Sequence, residues 1–359
     1  MKRIILATGG TGGHIFPALA VAGEIERMGD IRVQFVGGKY GQESSLIPSQ
    51  GFDIYLLPIR GFLGRGIRML PNMVRLGISL VKSFVFIKRS SPDAVVGFGG
   101  YASFAPVYVA SYLHIPTAIH EQNSFPGLTN RILARRVDRI FLTFPDEEGL
   151  FPPLKVVVTG NPIRRELLSS SSERDSFMIG EGRRLHVLIF GGSQGARGIN
   201  DAVIESLPIF KKMGLCIYHQ TGVTELERVK RAYEELSVKD ARVVAFIEDM
   251  GDAYRWSDLV ICRAGASTIA ELTALGKPSI LIPFPHATHD HQKKNASFLE
   301  KAGAAIMVEQ QYLKGQKLGQ LVYDLATIPG KLKEMGKRAR RLGRPEAAVK
   351  VAEEILNMV

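Results

Sequence analysis

Residues 3 to 14 read Arg3-Ile4-Ile5-Leu6-Ala7-Thr8-Gly9-Gly10-Thr11-Gly12-Gly13-His14, and a helical pattern over Phe16 to Met28 follows. A short apolar run that ends in glycines and opens a helix is how a buried strand turns into its crossover helix. The arrangement recurs 182 residues later, where Arg184 to Phe190 leads into Gly191-Gly192-Ser193-Gln194-Gly195-Ala196-Arg197 and another helical stretch. Further strands are expected at Arg32 to Val36, Ile54 to Leu57, Asp93 to Val96, Thr117 to His120 and Arg139 to Thr143, with helical stretches between them. Strands alternating with helices predict βαβ units, right-handed crossovers and an α/β doubly wound fold. Two such openings in 359 residues predict two α/β domains in tandem. The seam is expected near Thr159 to Arg165, ahead of the loop-like run Ser169 to Ser172, and the last segment, Arg344 to Met358, is again helical in pattern.

Composition narrows the class. Apolar residues make up 45% and charged residues 23% of the chain, which excludes a disordered chain, a collagen and a disulfide scaffold. The most apolar stretches are interrupted by Lys82 or by His114 and Pro116, so none has the ~18 to 20 clean apolar residues of a spanning helix. The run Ile4 to Thr8 is shorter than the ~7 to 15 apolar residues of a signal peptide and reads as a first strand. Cys216 and Cys262 sit in apolar strand-like segments without a C-x-x-C pair, so both are expected as buried reduced thiols in a cytoplasmic protein. Lys and Arg number 46 against 35 Asp and Glu, a net charge of +11 that calls for an anionic partner.

A strand running through glycines into a helix N-terminus offers free N–H groups and a favourable dipole to an anion. Both glycine clusters therefore read as phosphate-friendly, although tight βα turns also use glycine for steric reasons alone. Neither is a dinucleotide fingerprint: position 15 is Ile where a third glycine belongs, and the second strand ends Phe35-Val36-Gly37-Gly38-Lys39 without an acid. No G-x-x-x-x-G-K-[ST] occurs. A third cluster, Gly97-Phe98-Gly99-Gly100-Tyr101-Ala102-Ser103, closes the strand before it at the same carboxyl edge, where ligands bind in open α/β sheets.

Several polar residues follow the expected strands. His14 ends the first glycine loop at a helix N-terminus, where the dipole favours a neutral imidazole suited to act as a base; the plainer alternative is a capping or packing histidine. His120-Glu121-Gln122-Asn123 follows a buried strand, either as a site or as an ordinary polar loop. Cys262-Arg263-Ala264-Gly265-Ala266-Ser267-Thr268 opens another helix N-terminus, with Glu271 one turn in, where it reaches a diol such as a ribose presents or serves only as an N-terminal charge. His286, His289, Asp290 and His291 lack a further ligand cluster, so no metal site is expected there. Without an Asp-x-Asp, the charge of a leaving diphosphate falls to helix N-termini and Arg.

Taken together, these motifs resemble the MurG family of bacterial N-acetylglucosaminyltransferases. The resemblance runs the whole chain: Gly9 to Ala18, Gly99-Gly100-Tyr101, His120 to Asn123 with Gly127 to Asn130, Gly160 to Arg164, Gly191 to Arg197, Arg263 to Glu271, and His291-Gln292 with Asn295-Ala296. It implies a GT-B fold of two Rossmann-like doubly wound domains facing across a cleft. Residues 1–163 would form an acceptor and membrane-facing domain, with 342–359 packing back on it, and 164–341 a UDP-GlcNAc domain. It implies inverting, metal-independent GlcNAc transfer to the C4 hydroxyl of MurNAc in lipid I, giving lipid II, with no cofactor. His14 would be the base, with Glu121 second. The donor would be held by Thr11, Gly12, Gly13, Asn123, Arg164, Ser193, the backbone at Ile247, Ala266, Ser267, Thr268, Ile269, Ala270, Glu271 and Gln292. Gly100, Tyr101 and Ser103 would lie on the acceptor side.

The charge has a location. Residues 1–165 hold 19 Lys and Arg against 11 Asp and Glu, whereas the remainder holds 27 against 24. From Ile54 to Pro92 there is no acid, and between Arg60 and Arg89 seven cations alternate with apolar residues. That mixture suits an anionic leaflet and a peripheral protein on the cytoplasmic face of the plasma membrane, the alternative being a core helix with a solvated basic face. Nucleic acid is not expected, since no recognition motif accompanies the charge. The family resemblance adds other cell-wall synthesis proteins as partners. Competing functions are a diacylglycerol glycosyltransferase, a UDP-GlcNAc 2-epimerase or a non-catalytic nucleotide-sugar binding module.

Overall fold

The structure, a computed structural model, describes residues 1–59, 69–169 and 184–359. The chain divides into two compact units, Met1–Arg164 with Arg344–Val359, and Arg165–Gly343. Arg60, Arg65 and Arg68 of the basic stretch, and Ser170 to Ser172 of the serine run, lie outside the described residues.

Among the described residues, unit 1 holds β1 (Lys2–Ala7), β2 (Ile31–Gly38), β3 (Ile54–Leu57), β4 (Ala94–Gly97), β5 (Thr117–Glu121), β6 (Arg139–Leu142) and β7 (Val156–Val158). They form one sheet in the order β3-β2-β1-β4-β5-β6-β7, and every pairing is parallel. Side chains alternate across a strand, and both faces of β1 are covered. Ile4 and Leu6 pack with Phe35 and Val96 on one face, and Ile5 and Ala7 with Val36 and Val95 on the other. This is why the run is uniformly apolar: each fully buried aliphatic contributes roughly 1.5–3 kcal/mol. The terminal helix Ala347–Leu356 buries Val351, Ala352 and Ile355 in the same cluster as Ile4, Ile15 and Leu19. Lys2 Nζ donates to the Val359 carbonyl at 3.0 Å, so the two chain ends meet within unit 1.

Unit 2 holds β8 (His186–Phe190), β9 (Cys216–Gln220), β10 (Ala241–Val244), β11 (Leu259–Cys262), β12 (Ser279–Leu281) and β13 (Ala305–Met307), in the order β10-β9-β8-β11-β12-β13, again all parallel. In both sheets the strand order reverses beside the first strand, between β1 and β4 and between β8 and β11. These are the switch points where open α/β sheets bind ligands, and each glycine loop sits at one. Cys262 is buried, but Cys216 at the start of β9 is only half-buried, a correction to the expected pair of buried thiols. Among the described residues no helix is long and apolar enough to cross a membrane.

Candidate functional site

In unit 1, His14 enters from the loop after β1 in the first turn of the helix Gly12–Arg27. Its Nδ1 lies 3.1 Å from Gln122 Oε1, just past the end of β5. Gln122 is buried, and its Nε2 donates to the Phe98 carbonyl at 2.9 Å. The ends of β1, β4 and β5 thus meet in one hydrogen-bonded chain. His120 stacks on Phe98 with ring centroids 5.6 Å apart and donates from Nε2 to the Gly160 carbonyl at 3.0 Å. Complete burial pushes its pKa down to about 4, so it is neutral at physiological pH.

Glu121 is buried, and its carboxylate is occupied. It accepts from the Asn123 N–H at 3.0 Å, the Gly127 N–H at 3.0 Å and Asn130 Nδ2 at 2.9 Å. A carboxylate so used braces the loop 121–127 and is poorly placed to take a proton, so the geometry favours His14 over Glu121. Ser103 is likewise buried, donating to the Gly100 carbonyl at 2.9 Å, while Tyr101 is half-buried and desolvation raises its pKa. Thr11 and Gly13 are exposed at the start of the helix and Gly12 is half-buried. Arg164 lies over the Phe16 ring at 4.4 Å, one turn of the helix beyond Thr11 to Gly13.

The two glycine loops differ in what their backbone meets. In unit 1 the buried Glu43 carboxylate accepts the Gly10 N–H at 3.0 Å and the Gly38 N–H at 2.9 Å. The Gly10 N–H of the first loop is therefore taken by a side chain of the chain itself. Glu43 went unnoticed in the sequence; the signal was an acid set among Gly37, Gly38 and Gly41 just after the second strand.

In unit 2 the corresponding loop is open. Gly192, Ser193 and Gln194 are exposed, and the nearest side-chain partner is the neutral Gln220, whose Oε1 accepts the Gly191 N–H at 3.3 Å. A Cβ on Gly195 would stand 1.9 Å from the Thr221 carbonyl oxygen, and its φ is +75°, so only glycine fits. Thr221 is held by a buried chain. Tyr233 OH donates to His219 Nδ1 at 3.2 Å, His219 Nε2 to Asn200 Oδ1 at 3.1 Å, and Asn200 Nδ2 to the Thr221 carbonyl at 3.1 Å. Burial lowers the His219 pKa to about 3, which keeps the imidazole in the neutral form this chain needs.

Beside that loop, β11 leads into the helix Ala266–Leu275. Glu271 is half-buried, and its Oε2 accepts from the buried Tyr254 OH at 2.8 Å. Ser267 and Thr268 are partly exposed in the first turn. Ala266, Ile269 and Ala270 are buried, and the Ile269 N–H is taken by the Gly265 carbonyl at 2.9 Å. The side chains of Ile269 and Ala270 pack inward, like that of Ala266. The Ile247 side chain is also buried, which leaves its backbone beyond the end of β10. Gln292 Oε1 accepts the Phe284 N–H at 2.9 Å, after His289 and Asp290, both with φ +53°. Arg263 donates to the Ile282 and Pro283 carbonyls and to Gln310, and burial lowers its pKa to about 10, so it ties the ends of β11 and β12 together as a cation. Among the described residues no three His, Cys, Asp or Glu side chains group as metal ligands.

Two doubly wound parallel domains, the second with an exposed glycine loop beside a helix N-terminus, give the chain the GT-B architecture. The chain belongs to glycosyltransferase family 28, within the group of UDP-N-acetylglucosamine–N-acetylmuramyl-(pentapeptide) pyrophosphoryl-undecaprenol N-acetylglucosamine transferases: the family's N-terminal domain matches residues 4–142 and its C-terminal domain residues 186–352. It is 47% identical over 360 residues to the transferase of that name from Nitratidesulfovibrio vulgaris, covering 100% of this chain and 98% of the relative. The crystal structure of Acinetobacter baumannii MurG superposes with a TM-score of 0.80 at 33% identity, covering 99% of this chain and 100% of that one. A Neisseria meningitidis UDP-GlcNAc 2-epimerase superposes with a TM-score of 0.71 at 16% identity, over 99% and 100% of the two chains, a likeness of fold alone.

Proposed function

We propose that this chain transfers GlcNAc from UDP-GlcNAc to the C4 hydroxyl of MurNAc in undecaprenyl-pyrophosphoryl-MurNAc-pentapeptide, converting lipid I to lipid II. The observation that carries the division of labour is the asymmetry of the two glycine loops. In unit 1 the Gly10 N–H is taken by Glu43, whereas Gly192, Ser193 and Gln194 of unit 2's loop are exposed beside a helix N-terminus. The donor diphosphate therefore belongs to unit 2, at Ser193 and the first turn holding Ala266, Ser267 and Thr268. Glu271, steadied by Tyr254, takes the ribose hydroxyls, the Ile247 backbone reads uracil, and Gln292 meets the sugar. Within unit 1, Thr11, Gly12, Gly13, Asn123 and Arg164 keep the donor-side roles, and Gly100 and Tyr101 the acceptor-side roles, that the family resemblance implies.

The reaction is a single displacement. The acceptor oxygen forms a bond to the anomeric carbon as the bond to the UDP oxygen breaks, and the electron pair leaves with UDP. The hydroxyl proton goes to His14 Nε2. N–H groups and helix dipoles aimed at the diphosphate stabilise the departing charge. Full-length identity of 47% to a transferase of this acceptor favours the reaction over an epimerase or a binding module. UDP release measured with and without lipid I tests it: release only with lipid I is expected, and acceptor-independent turnover sinks the assignment. A His14→Ala variant with saturating substrates tests the base, which fails if kcat stays within a few-fold of the parent.

The helix Met69–Ser90 supports peripheral attachment to the cytoplasmic face of the plasma membrane. Its exposed side carries Met73, Val74, Ile78, Val81, Phe84 and Val85, with Lys82, Lys88 and Arg89 among them, while Ser79, Ser83 and Ile87 face inward. Leu76, Leu80 and Phe86 also pack on the core beside Ile87, so the helix carries apolar residues on both sides, where a core helix with a solvated basic face would carry them on one. An apolar stripe set among cations suits an anionic leaflet. Sedimentation with anionic and neutral vesicles tests this, and equal binding to both removes the electrostatic part.

A further inference from the structure

We propose that Gln122 is a positioning residue that fixes His14 in the Nδ1–H tautomer, leaving Nε2 unprotonated to receive the acceptor's proton; this rests on His14 being the base. The Phe98 carbonyl has no proton to give, so the end of the Gln122 amide 2.9 Å from it is the NH2 end. The carbonyl end, Oε1, then faces His14 Nδ1 at 3.1 Å, and an oxygen acceptor requires N–H there. In a neutral imidazole the proton on Nδ1 leaves the lone pair on Nε2. Gln122 is 2% exposed, so water does not compete for either end of the amide.

The backbone beside the pair is shaped to it. Gly99 has φ +83°, and a Cβ there would lie 2.8 Å from His14 Nδ1 and 3.5 Å from Gln122 Oε1. A side chain at 99 would push the pair apart, so glycine lets the β4 loop run against it. The neighbouring His120 donates to the Gly160 carbonyl from Nε2 and is neutral, so it offers no charge to bias His14. The glutamine thus plays the part that a carboxylate plays beside many catalytic histidines, without supplying a charge that would hold the imidazole protonated.

The tautomer is directly observable. Long-range 1H–15N correlation spectra of the full chain, 15N-labelled at histidine, recorded above pH 8, are expected to show His14 as Nδ1–H; an Nε2–H pattern overturns the proposal, and this measurement needs no variant. Gln122→Met keeps the bulk and removes both polar ends. It is expected to shift His14 toward Nε2–H and lower kcat by about 10²-fold, the scale of a mis-set general base, with KM for UDP-GlcNAc within about twofold. Gln122→Glu, which keeps an acceptor toward Nδ1, is expected to restore the Nδ1–H signature. An unchanged tautomer in Gln122→Met overturns the positioning role. A shifted tautomer with unchanged kcat upholds that role and instead overturns His14 as the base.

Discussion

The Glu43 carboxylate holds the Gly10 N–H at 3.0 Å with one oxygen and the Gly38 N–H at 2.9 Å with the other, joining the loop after β1 to the end of β2. Both oxygens must accept. In Glu43→Gln one of them becomes an NH2 that faces an N–H, leaving a buried donor unsatisfied at a cost of about 1–3 kcal/mol. The expected result is a lower urea midpoint at unchanged slope. UDP affinity is expected to stay within about twofold, because the proposed diphosphate contacts lie in unit 2. A variant as stable as the parent would contradict the clamp, and a large loss of UDP affinity would return the diphosphate to the first loop.

Tyr254 and Glu271 form the second such pair, with the phenol donating to Oε2 at 2.8 Å. Removing a charged hydrogen-bonding group from a nucleotide contact costs about 1.5–3 kcal/mol, so Glu271→Ala is expected to raise KM for UDP-GlcNAc by about 10- to 100-fold. Tyr254→Phe removes only the brace and is expected to cost less, a few-fold. A donor lacking the ribose 2′ and 3′ hydroxyls separates contact from packing. Parent and Glu271→Ala should then differ little, and a penalty that persists with that donor would mean Glu271 serves the fold rather than the ribose.

The strands, their parallel order and the glycine loops were legible because burial on both faces forces apolar runs and tight βα turns force glycine; Ile4 to Gly10 and Val187 to Gly192 show both. What escaped depends on side chains far apart in sequence. His14 and Gln122 are 108 residues apart, and nothing local in either stretch announces the contact. Glu43 opens the short helix Glu43–Ser49, and its approach to Gly10, 33 residues away in sequence, exists only in the folded sheet. Ile269 and Ala270 adjoin Ser267 and Thr268 in sequence, yet a helix turns adjacent side chains onto different faces, and theirs are buried while Ser267 and Thr268 are partly exposed. The apolar and basic content of Met69–Ser90 was visible, but not which face the core would take, since the inward positions include two serines, Ser79 and Ser83.

That sidedness is open to test at Val81, 66% exposed on the stripe of the helix Met69–Ser90. Val81→Asp removes an aliphatic group, worth roughly 1.5–3 kcal/mol if fully buried in the interface, and places an anion against an anionic leaflet. Partitioning to anionic vesicles is expected to fall by about tenfold or more, with thermal stability and UDP affinity unchanged because the side chain is outside both cores. Undiminished vesicle binding would remove this stripe from the membrane contact.

The buried histidines give the protein an acid limit with a definite sign. His219 titrates near 3 and His120 near 4 in the fold because burial disfavours their charged forms, against about 6.5 when the chain is unfolded. Between those values the unfolded chain binds more protons than the folded one, so stability rises with pH there. It is unaffected by these groups above about pH 6.5. It is lost as pH falls from 6.5 toward 4 and 3, with a limiting slope of about 1.4 kcal/mol per pH unit for each histidine. The chain's one tryptophan, Trp256, lies in unit 2 with His219, so its fluorescence follows the unfolding of that unit. His219→Gln breaks the link from Tyr233 to Asn200 and is expected to lower stability at pH 7.5, yet to flatten the decline between pH 6.5 and 4.5 by about one proton. If the variant's slope equals the parent's, His219 is not the group whose neutral form supports the loop at Gly195.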